Sequence, residues 1–161
     1  MTNLLTRRDM AALLASCVLG SLSGLAAEAT GAAMIVVSKD PTCGCCGGWV
    51  EHLRGAGFSV EVIDTNEINR LKARLGVPTD LHACHTAEVG GYVIEGHVPA
   101  VAIERLLRDK PQAKGLAVPG MPVGSPGMNI EGTPPEEYAV FLFGTFGKRE
   151  FARFKEAREL R

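Results

Sequence analysis

Three features of the sequence predict an α/β domain built around a loop of reactive sulfur. The run Met34-Ile35-Val36-Val37-Ser38 is apolar and β-branched and stops before Asp40-Pro41, as a buried strand does. Helical and alternating patterns then take turns as far as Leu107, the mark of a mixed α/β chain. Between the first strand and the first helix lies Cys43-Gly44-Cys45-Cys46-Gly47-Gly48, with three cysteines in four residues.

The elements follow in order. Gly47 to Ala56 carries Trp49, Val50, Leu53 and Ala56 at helical spacing, and Gly57 stops it. Phe58 to Ile63 alternates Phe58, Val60 and Val62 against Ser59 and Glu61, a second strand. Asp64 or Thr65 can cap a second helix bearing Ile68, Leu71, Lys72 and Leu75, which Gly76-Val77-Pro78 ends. Thr79 to His85 is irregular and contains Cys84. Thr86 to Val89 and Tyr92 to Glu95 flank Gly90-Gly91, a hairpin signal. Val98-Pro99 opens a third helix running to Leu107. This is βαβα–ββα, the thioredoxin-like order, with the sulfur loop at the first strand–helix junction. Lys110 to Pro135 reads as a long loop rich in Met, Pro and Gly, a length that marks functional loops in compact domains. Tyr138 to Phe143 and Arg149 to Phe154 form a C-terminal β-hairpin extension, in preference to a terminal helix over Glu150 to Leu160.

Residues 1–30 read as a targeting segment and 31–161 as one domain. Arg7-Arg8 precedes a small, apolar run from Ala11 to Ala27, and Ala27-Glu28-Ala29 offers a cleavage site. The paired arginines are like those of a twin-arginine signal, although Met10 and Ala11 depart from its usual form. The segment is therefore expected to direct export. Leu14-Ala15-Ser16-Cys17 is similar to a lipoprotein box, but the apolar run continues past it, so a lipid anchor is not expected. The net charge of −1 and the lack of a basic stripe argue against nucleic acid and anionic membrane as partners.

Without the targeting segment four cysteines remain: Cys43, Cys45, Cys46 and Cys84. An even number in an exported chain usually signals disulfides. Three sulfurs packed among glycines at a helix start point instead to reactive or metal-binding thiols, because the helix dipole favours thiolate there. In a thioredoxin-like frame the segment entering the third strand lies beside this loop, so Cys84 is expected to supply a fourth sulfur. Thiolate-rich sites select soft ions, Cu(I) above all, with zinc and iron–sulfur clusters as other occupants. Met121, a soft thioether in the long loop, and His85, next to Cys84, are further candidate ligands. Met128 ranks below Met121. His97 reads as a cap or packing residue, Trp49 as helix packing, and His52 and His82 carry no assignment. Cys43 and Cys46 also have the C-x-x-C spacing of a redox pair, with Cys43 attacking and Cys46 resolving. A thiol–disulfide oxidoreductase is therefore the second reading.

Several segments together resemble one family. Lys39-Asp40-Pro41-Thr42-Cys43-Gly44-Cys45-Cys46, Cys84-His85-Thr86-Ala87, Gly91 to Pro99 and Gly115 to Met128 are similar to the exported bacterial CopG-like copper-resistance proteins, over roughly residues 34–154. The stretch after Gly144 matches least. The resemblance implies a thioredoxin-like fold, a periplasmic location, copper held through the cysteines and a role in copper tolerance, with copper redox chemistry as a less settled property. The expected ligand is copper, as Cu(I) or a polynuclear copper–thiolate cluster. The expected partners are copper ions and other periplasmic copper-handling proteins. No catalytic residue is assigned.

Overall fold

A computed structural model describes residues 33–161; the targeting segment and Cys17 lie outside the described residues. The architecture is mixed α/β. One eight-stranded sheet has the order β2-β1-β3-β4-β5-β6-β7-β8, and three α-helices accompany it. The strands are β1 (Met34–Lys39), β2 (Ser59–Asp64), β3 (His85–Val89), β4 (Tyr92–Glu95), β5 (Gly115–Ala117), β6 (Glu137–Gly144), β7 (Gly147–Lys155) and β8 (Arg158–Glu159). The helices are α1 (Gly44–Gly55), α2 (Ile68–Leu75) and α3 (Ala100–Asp109). Among the described residues no helix is long and apolar enough to cross a membrane.

β1 and β2 pair in parallel through α1, and β3 returns antiparallel on the other side of β1 with Lys39 opposite His85. That register decides where the chemistry sits. The chain leaves β1 toward Cys43 at the same end of the sheet at which it enters β3 from Cys84. Gly90 and Gly91 both hold positive φ, +55° and +84°, as a tight two-residue hairpin between β3 and β4 requires.

The core divides by strand alternation, since neighbouring side chains point to opposite faces. Ile35, Val37, Ile94, Leu116, Val140 and Leu142 join Trp49, Leu53, Ile103 and Leu106 of α1 and α3 in the larger cluster. Val93, Ala117 and Phe143 pack with Val77 and Leu81 in the smaller one. Both faces of the sheet centre are therefore covered.

Five elements differ from the sequence expectation. α2 starts at Ile68 with Glu67 at its cap position; Asp64 ends β2, and Thr65 instead accepts the Glu67 N–H at 3.0 Å. α1 starts at Gly44 rather than Gly47, so Cys45 and Cys46 belong to its first turn instead of a preceding loop. β2 is an edge strand: Val60 packs, partly buried, against the core, while Val62 is exposed. Gly115–Ala117, assigned to the long loop, is a strand between β4 and β6, too short for a periodic signal. The hairpin is longer than expected and gains β8. It is integral to the fold: Phe154 is fully buried, and its ring stacks on Tyr138 with centroids 6.1 Å apart. Phe154→Ala is expected to cost about 3–5 kcal/mol, read as a lowered urea midpoint. A loss under about 1 kcal/mol would make the hairpin an independent appendage.

Candidate metal centre

The site begins with how the chain turns from β1 into α1. Asp40 accepts the Thr42 N–H at 2.8 Å and the Thr42 hydroxyl at 2.5 Å, an Asx-type turn. These bonds hold its carboxyl below the usual range. The Cys43 N–H then closes on the Asp40 carbonyl at 3.0 Å. Cys43 is the residue that caps α1, yet its side chain makes no capping hydrogen bond. Its sulfur is left for its neighbours. Cys45 and Cys46 occupy the first turn, where free N–H groups and the positive end of the helix dipole favour negative charge.

Cys45 is the hub. Its Sγ lies 3.6 Å from Cys43 Sγ, 3.8 Å from Cys84 Sγ and 4.0 Å from Met121 Sδ. All four cysteine sulfurs fall within 4.8 Å of one another. Cys43 and Cys46 are joined as a disulfide, while Cys45 and Cys84 are free thiols. The clustered sulfur therefore appears in the oxidised form of the C-x-x-C pair. Two-electron, two-proton reduction by a dithiol would release two more thiols into the same space. Met121 is the loop methionine that reaches the sulfurs. It is also exposed, so Met121→Leu is expected to lower the affinity for a soft metal ion only a few-fold, read by competition with a chelator. A loss of a hundredfold would make the thioether an essential ligand.

Cys84 faces imidazole as well as sulfur. His97 Nε2 lies 3.2 Å and His85 Nδ1 3.4 Å from Cys84 Sγ, and the three donors fall within 4.8 Å of one another. His97 Nδ1 donates to the Pro126 carbonyl at 2.7 Å, which turns the Nε2 lone pair toward Cys84. Burial keeps both rings neutral by pushing their pKa values down; the neighbouring His97 and Lys72 add to this at His85. Burial, followed by the charge of Cys45, pushes the Cys84 thiol up to about 12. His85 is fully buried with its ring 4.3 Å from that of Trp49, and its Nε2 has no hydrogen-bond partner. The nitrogen that faces Cys84 is Nδ1, so it is this atom, and not the orphan Nε2, that His85 offers to a metal ion among the thiols.

His97, read from the sequence as a cap or packing residue, is fully buried and in addition turns an imidazole nitrogen toward Cys84. A signal for it was present. With Thr86 opposite Glu95 across the Gly90-Gly91 hairpin, continuing the register sets position 84 against position 97. The other histidines are structural. His52 Nε2 accepts the Ala100 N–H at 3.0 Å at the start of α3, and His82 Nε2 lies 3.3 Å from the Val77 carbonyl. Trp49 packs as expected and donates its indole N–H to the Val98 carbonyl at 2.9 Å.

Fold and site together define a class: a mixed α/β protein whose cysteine cluster, flanked by thioether and imidazole, is able to bind a soft metal. Residues 81–128 match the family described as "Protein of unknown function, DUF411", a span that contains Cys84, His85, His97 and Met121. None of the curated proteins matches the chain. Among solved structures, "Copper resistance protein copG- Form 2" is 40% identical with a TM-score of 0.72, covering 76% of this chain and 98% of that one. "Copper resistance protein copG- Form 1" is also 40% identical, with a TM-score of 0.70, covering 75% and 96%. The chain belongs to the CopG copper resistance protein family.

Proposed function

We propose that this is a periplasmic copper-binding protein that holds Cu(I), singly or as a small polynuclear copper–thiolate cluster, in copper resistance. Cys43, Cys45, Cys46 and Cys84 act as thiolate ligands. Met121, His85 and His97 supply softer or neutral donors at the edge. The reading is carried by one observation: Cys45 Sγ stands within 4 Å of sulfurs from both arms of the site, Cys43 and Cys84. Sulfurs brought together from positions 39 residues apart satisfy a soft ion, whereas ordinary packing gives no reason to gather them. The sheet order β2-β1-β3-β4, with β1 and β2 parallel and β3 reversed, supports a thioredoxin-like frame extended by the β6–β7 hairpin. Export through the twin-arginine-like segment accounts for the periplasmic placement, and other copper-handling proteins there are the partners.

Copper titration of the reduced mature protein under anaerobic conditions, with elemental analysis and a thiol count, tests this. Tight Cu(I) binding by the reduced form, and much weaker binding once Cys43 and Cys46 are oxidised, is the expected result. Equal binding by both forms would sink the four-thiolate ligand set. The Cys43–Cys46 disulfide favours a second reading, a thiol–disulfide oxidoreductase. The two diverge at Cys45, which a redox pair does not need.

A further inference from the structure

Three of the four clustered sulfurs ride on one rigid unit, the N-terminal turn of α1. Cys84 does not. It lies on an irregular stretch between the short 3-10 turn Thr79–Leu81 and β3, so its reach toward Cys45 depends on what anchors its backbone. Glu95 of β4, fully buried, provides an anchor. Its Oε1 accepts the Ala83 N–H at 2.6 Å, one residue before Cys84. The same oxygen accepts Lys72 Nζ from α2 at 2.5 Å. The other oxygen, Oε2, accepts the Thr86 hydroxyl at 2.6 Å, while Lys72 also donates to that hydroxyl at 2.8 Å. On the far side of Cys84, the Gly96 N–H donates to the His85 carbonyl at 3.1 Å. Gly96 sits at φ +71°, and a Cβ there would stand 2.6 Å from Ala83 Cβ and 2.5 Å from the Val118 carbonyl oxygen. Cys84 is thus pinned on both sides by consecutive residues of β4 and its exit.

Stability alone gives little reason for the ion pair. A wholly buried lysine–glutamate pair is commonly matched or bettered by apolar residues of the same volume. What an apolar side chain at position 95 cannot do is accept the Ala83 N–H. We propose that Glu95 is a positioning residue of the metal centre: its carboxylate, neutralised by Lys72, hooks the Ala83 N–H and so sets the reach of Cys84 toward Cys45. Thr86 takes the second oxygen and leaves the first aimed at the loop. The proposal rests on the reading of the cysteines as Cu(I) ligands.

Two double variants separate position from fold. K72M/E95L removes the ion pair and the hook while filling the space with apolar atoms. K72M/E95Q keeps an amide oxygen for the Ala83 N–H, and its NH₂ can donate to the Thr86 hydroxyl that Lys72 no longer occupies. Both are compared with the wild type by urea unfolding and by competition for Cu(I) against a chromogenic chelator. K72M/E95L leaves the buried Thr86 hydroxyl and the Ala83 N–H unpaired, so it is expected to stay folded in buffer with a lowered urea midpoint, and to bind Cu(I) at least about tenfold more weakly, the scale of outer-shell losses at metal sites. K72M/E95Q is expected to recover most of that loss. Wild-type affinity in K72M/E95L overturns the proposal. So does failure of K72M/E95Q to recover, which would assign the effect to charge. A K72M/E95L protein that does not fold also overturns it, since Glu95 would then serve folding. A wild type that binds no copper sinks the ligand reading itself, and this proposal with it.

Discussion

Cys45→Ser is expected to lower Cu(I) affinity at least about a hundredfold. The scale comes from structural metal sites with four ligands, worth about 10–16 kcal/mol, so that one ligand accounts for about 2.5–4 kcal/mol, on the order of a hundredfold in affinity. Cys45 is the substitution of choice because its sulfur alone approaches Cys43, Cys84 and Met121. Serine is nearly isosteric but offers a hard oxygen, a poor donor for a soft ion. The Cys43–Cys46 pair does not pass through Cys45, so a thiol count of the oxidised variant should still find that bond. The measurement is a Cu(I) chelator competition run beside a reductase assay on a model disulfide. Unchanged copper affinity with full reductase activity would hand the protein to the redox reading. Loss of copper binding with an intact disulfide would place the sulfur cluster, rather than the C-x-x-C pair, at the centre of its function.

How much of this was legible in the sequence depended on the range of the interaction. β1, the Gly90-Gly91 hairpin and α3 were readable because local pattern and turn chemistry specify them. The meeting of Cys84 with the Cys45 side of the site followed from element order, a topological argument. β5 was not readable: three residues inserted between distant strands carry no period, and only β4 and β6 make them a strand. Lys72 is a related failure. It falls at one of several helical positions of α2, and nothing local says that a lysine there is buried. Its partners Glu95 and Thr86 are 23 and 14 residues away, and the pair exists only once α2 lies against β3 and β4. The early start of α1 matters most for chemistry. Gly44, Gly47 and Gly48 disfavour a helix by propensity, yet the chain is helical through them, so packing against neighbouring elements outweighs propensity there.

One of those neighbours is the loop carrying Met121, and Gly127 is where it touches α1. Gly127 holds φ +88°, and a Cβ at this position would lie 2.5 Å from the Trp49 nitrogen, 2.8 Å from the Cys45 carbonyl oxygen and 3.0 Å from the Gly48 carbonyl carbon. All three are backbone atoms of α1, so no side chain can swing aside. Gly127→Ala therefore combines a disfavoured backbone conformation, about 1–2 kcal/mol, with overpacking of about 1–3 kcal/mol. The expected loss of stability is about 2–5 kcal/mol, read from the urea midpoint. The residue before it, Pro126, holds His97 Nδ1 through its carbonyl. Lifting the loop from α1 would release that imidazole and draw Met121 away from Cys45, so copper affinity should fall about tenfold with stability. Gly120→Ala is the control. Gly120 lies in the same loop at φ +70°, but a Cβ there meets nothing within 4 Å. It should show only the conformational cost, about 1–2 kcal/mol, with copper affinity near the wild type. Equal effects from the two substitutions would mean that the loop contributes through its own conformation and not through its seat on α1.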